Sequence, residues 1–106
     1  MAAALINVPK KAKNGDVIEI KTLMSHIMET GYRHTTTGAV VPRDIITSFT
    51  CHFEGEEIFR ADLFPATAAN PFFSFFTVAT KSGKFDFEWI GDNGFSETAS
   101  ARITVE

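Results

Sequence analysis

Apolar side chains recur at every second position through most of this chain, and a period of two marks strands with one face turned toward a core. In Val17–Leu23, Ile18, Ile20 and Thr22 alternate with Glu19 and Lys21. Asp44–Glu54 sets Ile45, Thr47, Phe49, Cys51 and Phe53 against Ile46, Ser48, Thr50 and His52. Lys84–Ile90 sets Phe85, Phe87 and Trp89 against Asp86 and Glu88, and the last segment sets Ala99, Ala101, Ile103 and Val105 against Ser100, Arg102, Thr104 and Glu106. No helical pattern competes with these.

Turn signals divide the strands. Leu5–Val8 reads as a short strand ended by Pro9, which has no amide to donate and suits an edge. Lys13-Asn14-Gly15-Asp16 and Gly91-Asp92-Asn93-Gly94 are turn sequences that supply positive φ cheaply. Glu57–Phe64 is a further strand ended by Pro65, with Arg60 and Asp62 on one face at a spacing that lets them pair. Phe72–Ala79 follows, and Lys81-Ser82-Gly83 turns the chain into Lys84. About seven short strands with no long parallel crossover predict an all-β fold, an antiparallel immunoglobulin-like β-sandwich. Residues 1–106 read as one domain, because no linker composition or charge run divides them.

Two segments do not fit a simple sandwich. Met24–Pro42 loses the strand period over a length that, in a compact domain, is usually functional. Its first half carries Met24, Ile27, Met28 and Tyr32, an adaptable apolar set suited to touching something. The second segment is Phe72-Phe73-Ser74-Phe75-Phe76, apolar on both faces in a chain that already holds eleven Phe and one Trp. Either a loop of the same chain or a partner must cover its second face.

Charge and composition narrow the function. Ten Lys and Arg stand against thirteen Asp and Glu, and the one basic cluster, Lys10-Lys11-Ala12-Lys13, lies beside a turn. No basic face suited to phosphates results, so nucleic acid is not an expected partner. No apolar run approaches the roughly 18 residues of a membrane span. Met1–Pro9 has neither the charged start nor the hydrophobic stretch of a secretory signal, which by itself predicts a cytoplasmic protein.

Nothing in the sequence assembles an active site. Cys51 and His52 are neighbours on a strand and point to opposite faces, so they form no nucleophile and base pair. Cys51, between Phe49 and Phe53, reads as a small buried hydrophobe. His26, His34 and His52 lack metal-site spacing, Glu54, Glu56 and Glu57 crowd a turn, and the glycines occur singly without a phosphate loop. No catalytic residue, metal or cofactor is expected. A thiol protein using Cys51, or a sandwich that pairs with its own copy, are the competing readings.

The order of the sequence blocks resembles the SoxZ family over nearly the whole chain. The resemblance rests on Ala4–Lys10 with Gly15–Leu23, on Met28-Glu29-Thr30-Gly31-Tyr32-Arg33, on Pro42–Ile46, on Gly55–Pro65, on Ala68–Phe72, and on Thr77–Thr80 with Gly91–Phe95. Ile27 departs from it, standing where the family pattern has a proline before Met28. The resemblance implies an immunoglobulin-like sandwich without catalysis of its own. It implies pairing with SoxY, whose C-terminal cysteine arm covalently carries sulfur intermediates between Sox enzymes during thiosulfate oxidation. The reactive thiol then belongs to SoxY and not to Cys51. The resemblance further implies a periplasmic location by co-export on the partner's signal, and a heterodimer or larger assembly; the apolar patch separately leaves open a homodimer of the isolated chain. Met24, Met28, Tyr32, Phe72, Phe73, Phe75 and Phe76 are the expected partner-interface residues.

Overall fold

A computed structural model describes residues 4–106; Met1–Ala3, part of the stretch read for a leader, lie outside the described residues. Eight strands form in the order β1 (Ala4–Asn7), β2 (Lys11–Ala12), β3 (Val17–Met24), β4 (Ile46–Phe53), β5 (Glu56–Asp62), β6 (Phe72–Val78), β7 (Gly83–Gly91) and β8 (Ser96–Val105). They make two layers, a three-stranded sheet β1-β3-β6 and a five-stranded sheet β2-β8-β7-β4-β5. All pairings are antiparallel except β2 with β8, which run parallel through Lys11–Thr104 and Ala12–Val105. The fold is the immunoglobulin-like β-sandwich that the alternation predicts.

The inward alternation of each strand supplies the core. Ile18, Ile20 and Met24 of β3 and Phe75 of β6 face Phe49 and Cys51 of β4, Phe85, Phe87 and Trp89 of β7 and Ile103 of β8. Aromatic rings interlock at the centre: Phe49 stacks on Phe73 at 4.9 Å between centroids and lies 5.0 Å from Trp89. Phe59 of β5 stacks on Phe75 of β6 at 4.3 Å, joining the two sheets along one open side of the sandwich. Buried Phe side chains remove about 150–250 Å² each from water and dominate such a core.

Two irregularities change which side chains share a face. The register of β4 against β7 shifts between Ile46 and Ser48, and Ile45 and Ile46, assigned to opposite faces by strict alternation, are both buried. Between β4 and β5 the register shifts so that Cys51 pairs with Phe59 and His52 with Glu57, leaving Ile58 as the extra residue. A bulge of this kind reverses the parity of the positions beyond it. Arg60 consequently pairs with Glu57 at 3.1 Å and not with Asp62, correcting the sequence expectation. The Lys10–Lys13 segment, read as a solvated turn, contributes the two-residue β2.

At the β7–β8 turn, Gly91 lies so close to the chain that a Cβ there would sit 2.5 Å from the carbonyl oxygen of Ile45. That approach lets the Asp92 amide donate to the Ile45 carbonyl at 2.9 Å, tying the long Ser25–Ile45 segment to the turn.

Candidate partner-binding face

The two layers present different outer surfaces. Outward positions of the five-stranded sheet carry Lys84, Asp86 and Glu88 of β7 and Thr98, Ser100 and Arg102 of β8, a solvated polar back. The three-stranded sheet turns apolar residues outward. Its register aligns Leu5, Leu23 and Phe72 in one row across all three strands, and these line a shallow groove of about 290 Å³ with Ile6, Asn7, Lys21 and Thr22. Leu5 is 69% exposed, Phe72 56% and Phe76 66%. At the opposite end Val17 pairs with Val78, and both are exposed.

A polar band crosses the middle of this face. Asn7, Lys21 and Ser74 align in one row, the Ser74 hydroxyl donates to Glu19 Oε2 at 2.6 Å, and Lys21 Nζ lies 3.7 Å from Glu19 Oε1. An apolar surface flanked and interrupted by paired polar groups combines desolvation energy with a fixed register, the composition of a protein contact surface.

The sequence-predicted interface residues divide in two. Phe72 and Phe76 lie on this face. Met24, Met28, Phe73 and Phe75 do not: Met24, Met28 and Phe75 are buried, and Phe73 is half-buried against Phe49. Parity explains three of them, since Met24 continues the inward series of Ile18, Ile20 and Thr22, and Phe73 and Phe75 are the inward positions of β6. Met28 adopts φ 52° and folds back under the sheet, where its sulfur accepts the Ile46 amide at 3.3 Å. A partner cannot reach Met24, Met28 or Phe75 without opening the core, and Phe73 turns its ring inward onto Phe49. Tyr32 is 75% exposed but sits in the Ser25–Ile45 segment, its amide donating to Thr30 Oγ1 at 3.2 Å. Leu5, Leu23, Val17 and Val78 were missed, because alternation shows that a residue points outward but not which strand lies beside it.

The residues considered for chemistry stay apart. Cys51 is fully buried, and burial followed by the charge of Asp86 pushes its thiol up to about 12. His26 accepts the Met28 amide through Nδ1 at 3.0 Å and packs edge-on against Phe95 at 4.9 Å. His34 bridges to Val40 in the loop, and His52 is half-buried on β4. Among the described residues no three His, Cys, Asp or Glu side chains converge as a metal site would require, and no helix is long and apolar enough to cross a membrane.

These features define an all-β immunoglobulin-like sandwich whose distinctive surface is an apolar sheet face. Within that class the chain belongs to the SoxZ family: the family model described as "Sulphur oxidation protein SoxZ" matches residues 6–102. It is thus a protein of the Sox sulfur-oxidation system. Among solved structures it is similar to the sulfur carrier protein SoxY from Chlorobium limicola f thiosulfatophilum, at 15% identity and a TM-score of 0.70, covering 98% of this chain and 79% of that one. It is also similar to the superoxide reductase (neelaredoxin) from Ignicoccus hospitalis, at 20% identity and a TM-score of 0.77, covering 97% and 80%. A putative superoxide reductase from Thermotoga maritima shares 18% identity with a TM-score of 0.68, covering 97% and 85%. At these identities the structures share the fold alone. No curated protein matches the chain.

Proposed function

We propose that this chain is the non-catalytic partner of a SoxY-type sulfur carrier, as a single-domain subunit of a periplasmic complex in thiosulfate oxidation. The partner's cysteine arm would hold the sulfur intermediates, and this chain would stabilise the partner and help present the arm to other Sox enzymes. Export on the partner's signal accounts for the periplasmic assignment. The observation that carries the reading is the outward row Leu5–Leu23–Phe72, exposed at Leu5 and Phe72 and half-buried at Leu23, with exposed Phe76 beyond it, on a sheet whose opposite face already closes the core. Truncation of a central aromatic residue in such a patch, or a charge introduced there, removes a disproportionate share of binding energy.

The test is light scattering coupled to size exclusion, on this chain mixed with a SoxY-type chain that keeps its cysteine arm. The expected result is a stable one-to-one or two-to-two complex, lost in Phe72→Glu and retained in Phe64→Glu, which alters an equally exposed Phe outside the sheets. Absence of any complex, or equal binding by both variants, overturns the reading or this face. Phe72 is the diagnostic position and Phe73 is not, because a charge at 73 would enter the core.

A further inference from the structure

Among the described residues four strands have only one neighbour and therefore an open edge: β1 and β6 in the first sheet, β2 and β5 in the second. Exposed edges invite other strands, and proteins blunt them with short length, proline, charge or bulges. Among the described residues β1 has four and is followed closely by Pro9, and β2 has two. β5 carries Glu56, Glu57, Arg60 and Asp62 together with the bulge at Ile58. β6 is the least protected: Pro71 precedes it, but Phe72–Val78 itself holds seven residues without charge, proline or register shift.

The hydrogen-bond directions show which groups stand free. The Met24 amide donates to the Pro71 carbonyl at 3.1 Å and the Ala79 amide donates to the Asp16 carbonyl at 2.8 Å, so positions 71 and 79 point their backbone groups at β3. Antiparallel alternation then turns 73, 75 and 77 toward β3 as well, and aims the N–H and C=O of Phe72, Ser74, Phe76 and Val78 at the open edge. Among the described residues those amides and carbonyls have no other backbone partner. Beside this edge, between β6 and the β4–β5 hairpin, a cleft of about 370 Å³ opens, lined in part by Phe53, Ile58, Thr77 and Val78.

We propose that a second copy of this chain adds antiparallel to β6 about a two-fold axis through Phe75, continuing the sheet as β1-β3-β6-β6-β3-β1. Free groups occur only at even positions, so even must face even, and this register overlaps all seven residues. It sets Phe72 opposite Val78 of the second copy and Ser74 opposite Phe76 of the second copy. The four facing pairs form about eight inter-strand hydrogen bonds, two in each. Phe75 meets its own copy and Phe73 meets Thr77, so no like charges oppose one another anywhere along the strand. The self-complementary, uncharged edge fits a second copy, since nothing on it selects a foreign sequence. The outer apolar faces of the two copies become one surface, which leaves room for two partners and builds a two-to-two complex around a central pair.

The test uses this chain alone, without a SoxY-type partner, so that its failure and that of the partner reading are separable. Light scattering should give a dimer mass, and amide exchange by NMR should show protection at 72, 74, 76 and 78 as well as at 73, 75 and 77. Dilution to monomer should accelerate the four even positions alone. Ser74→Pro, which removes one outward amide and spares those facing β3, should weaken the dimer roughly tenfold or more. If that variant does not fold, Phe76→Lys, which charges the edge, should do the same. A monomer at all concentrations, or a dimer whose even amides exchange as fast as unprotected ones, overturns the proposal.

Discussion

Arg43 grips Asp92 through two hydrogen bonds of 2.8 Å each, Nε to one carboxylate oxygen and Nη2 to the other, across 49 positions of sequence. Asp92 Oδ2 also accepts the Ile45 amide at 3.1 Å, so one carboxylate fastens the end of the long segment to the β7–β8 turn. The hydrogen bonds from Arg43 hold the Asp92 carboxyl below its usual range, and burial opposes them only in part. A depressed folded pKa gives stability that is present above the unfolded value, about 3.9, and is lost as pH falls through the folded value. Asp92→Asn should therefore be less stable at pH 7 and show a shallower loss of stability on acidification below pH ~4. Urea midpoints measured across that range decide it; an unchanged acid limb would remove Asp92 from the account.

Cys51 supplies the opposite sign. With its thiol pushed up to about 12 by burial, it contributes stability that is complete below the unfolded value near 8.5 and is lost as pH rises through the folded one. Native protein should react with a thiol reagent far more slowly than denatured protein. Cys51→Ala should flatten the alkaline decline in stability. Rapid alkylation of the folded chain would favour the thiol-protein reading instead.

Thr22 lies on the inward face of β3, fully buried, and its hydroxyl has no hydrogen-bond partner among the described residues. Burying an unpaired hydroxyl costs about 1–3 kcal/mol, and an apolar group of the same shape recovers much of it. Thr22→Val should raise stability by about 1 kcal/mol, or roughly 4–8 °C in Tm for a domain of this size. Calorimetry reads the shift, and a lowered Tm would show that the hydroxyl is satisfied after all.

Ile27 stands where the SoxZ pattern has proline. Its φ is not in the positive region, its side chain is 70% exposed, and its amide makes no hydrogen bond within the described residues. The turn is held by its neighbours instead: the His26 amide donates to Asn70 Oδ1 at 2.9 Å, and the Asn70 amide returns a bond to the His26 carbonyl at 2.8 Å. Ile27→Pro should leave these bonds intact and stabilise the chain by about 0.4–1 kcal/mol by restricting the unfolded state. Thermal unfolding checks the direction; destabilisation would mean that the local backbone cannot take the proline φ.

The strands of this protein were readable because one side chain in two must avoid water, and that demand is local. Val17–Leu23 and Lys84–Ile90 show it most clearly, and both strands extend only a residue or so beyond those bounds. β2 left no such signal, since two residues carry no period and its parallel pairing depends on β8 more than 90 positions away. Arg60 was misassigned for a related reason: a bulge is an event between two strands, and it changed which carboxylate lay within reach.

The fate of Phe72–Phe76 divides at the same boundary. Alternation by itself determined that Phe73 and Phe75 share one side and Phe72 and Phe76 the other. Only the tertiary structure decided which side is covered, because covering a face requires another layer, and layers are assembled from distant parts of the chain. The β4–β5 hairpin brings Phe49 and Phe59 over Phe73 and Phe75, while among the described residues no strand packs on the outside of β1-β3-β6. Met24, the last residue of β3, and Met28, in the long segment after it, were expected to touch a partner, and both enter the core. Burial there follows from strand parity at Met24 and a left-handed backbone at Met28, and the latter is a property of the folded chain rather than of the pattern of its residues.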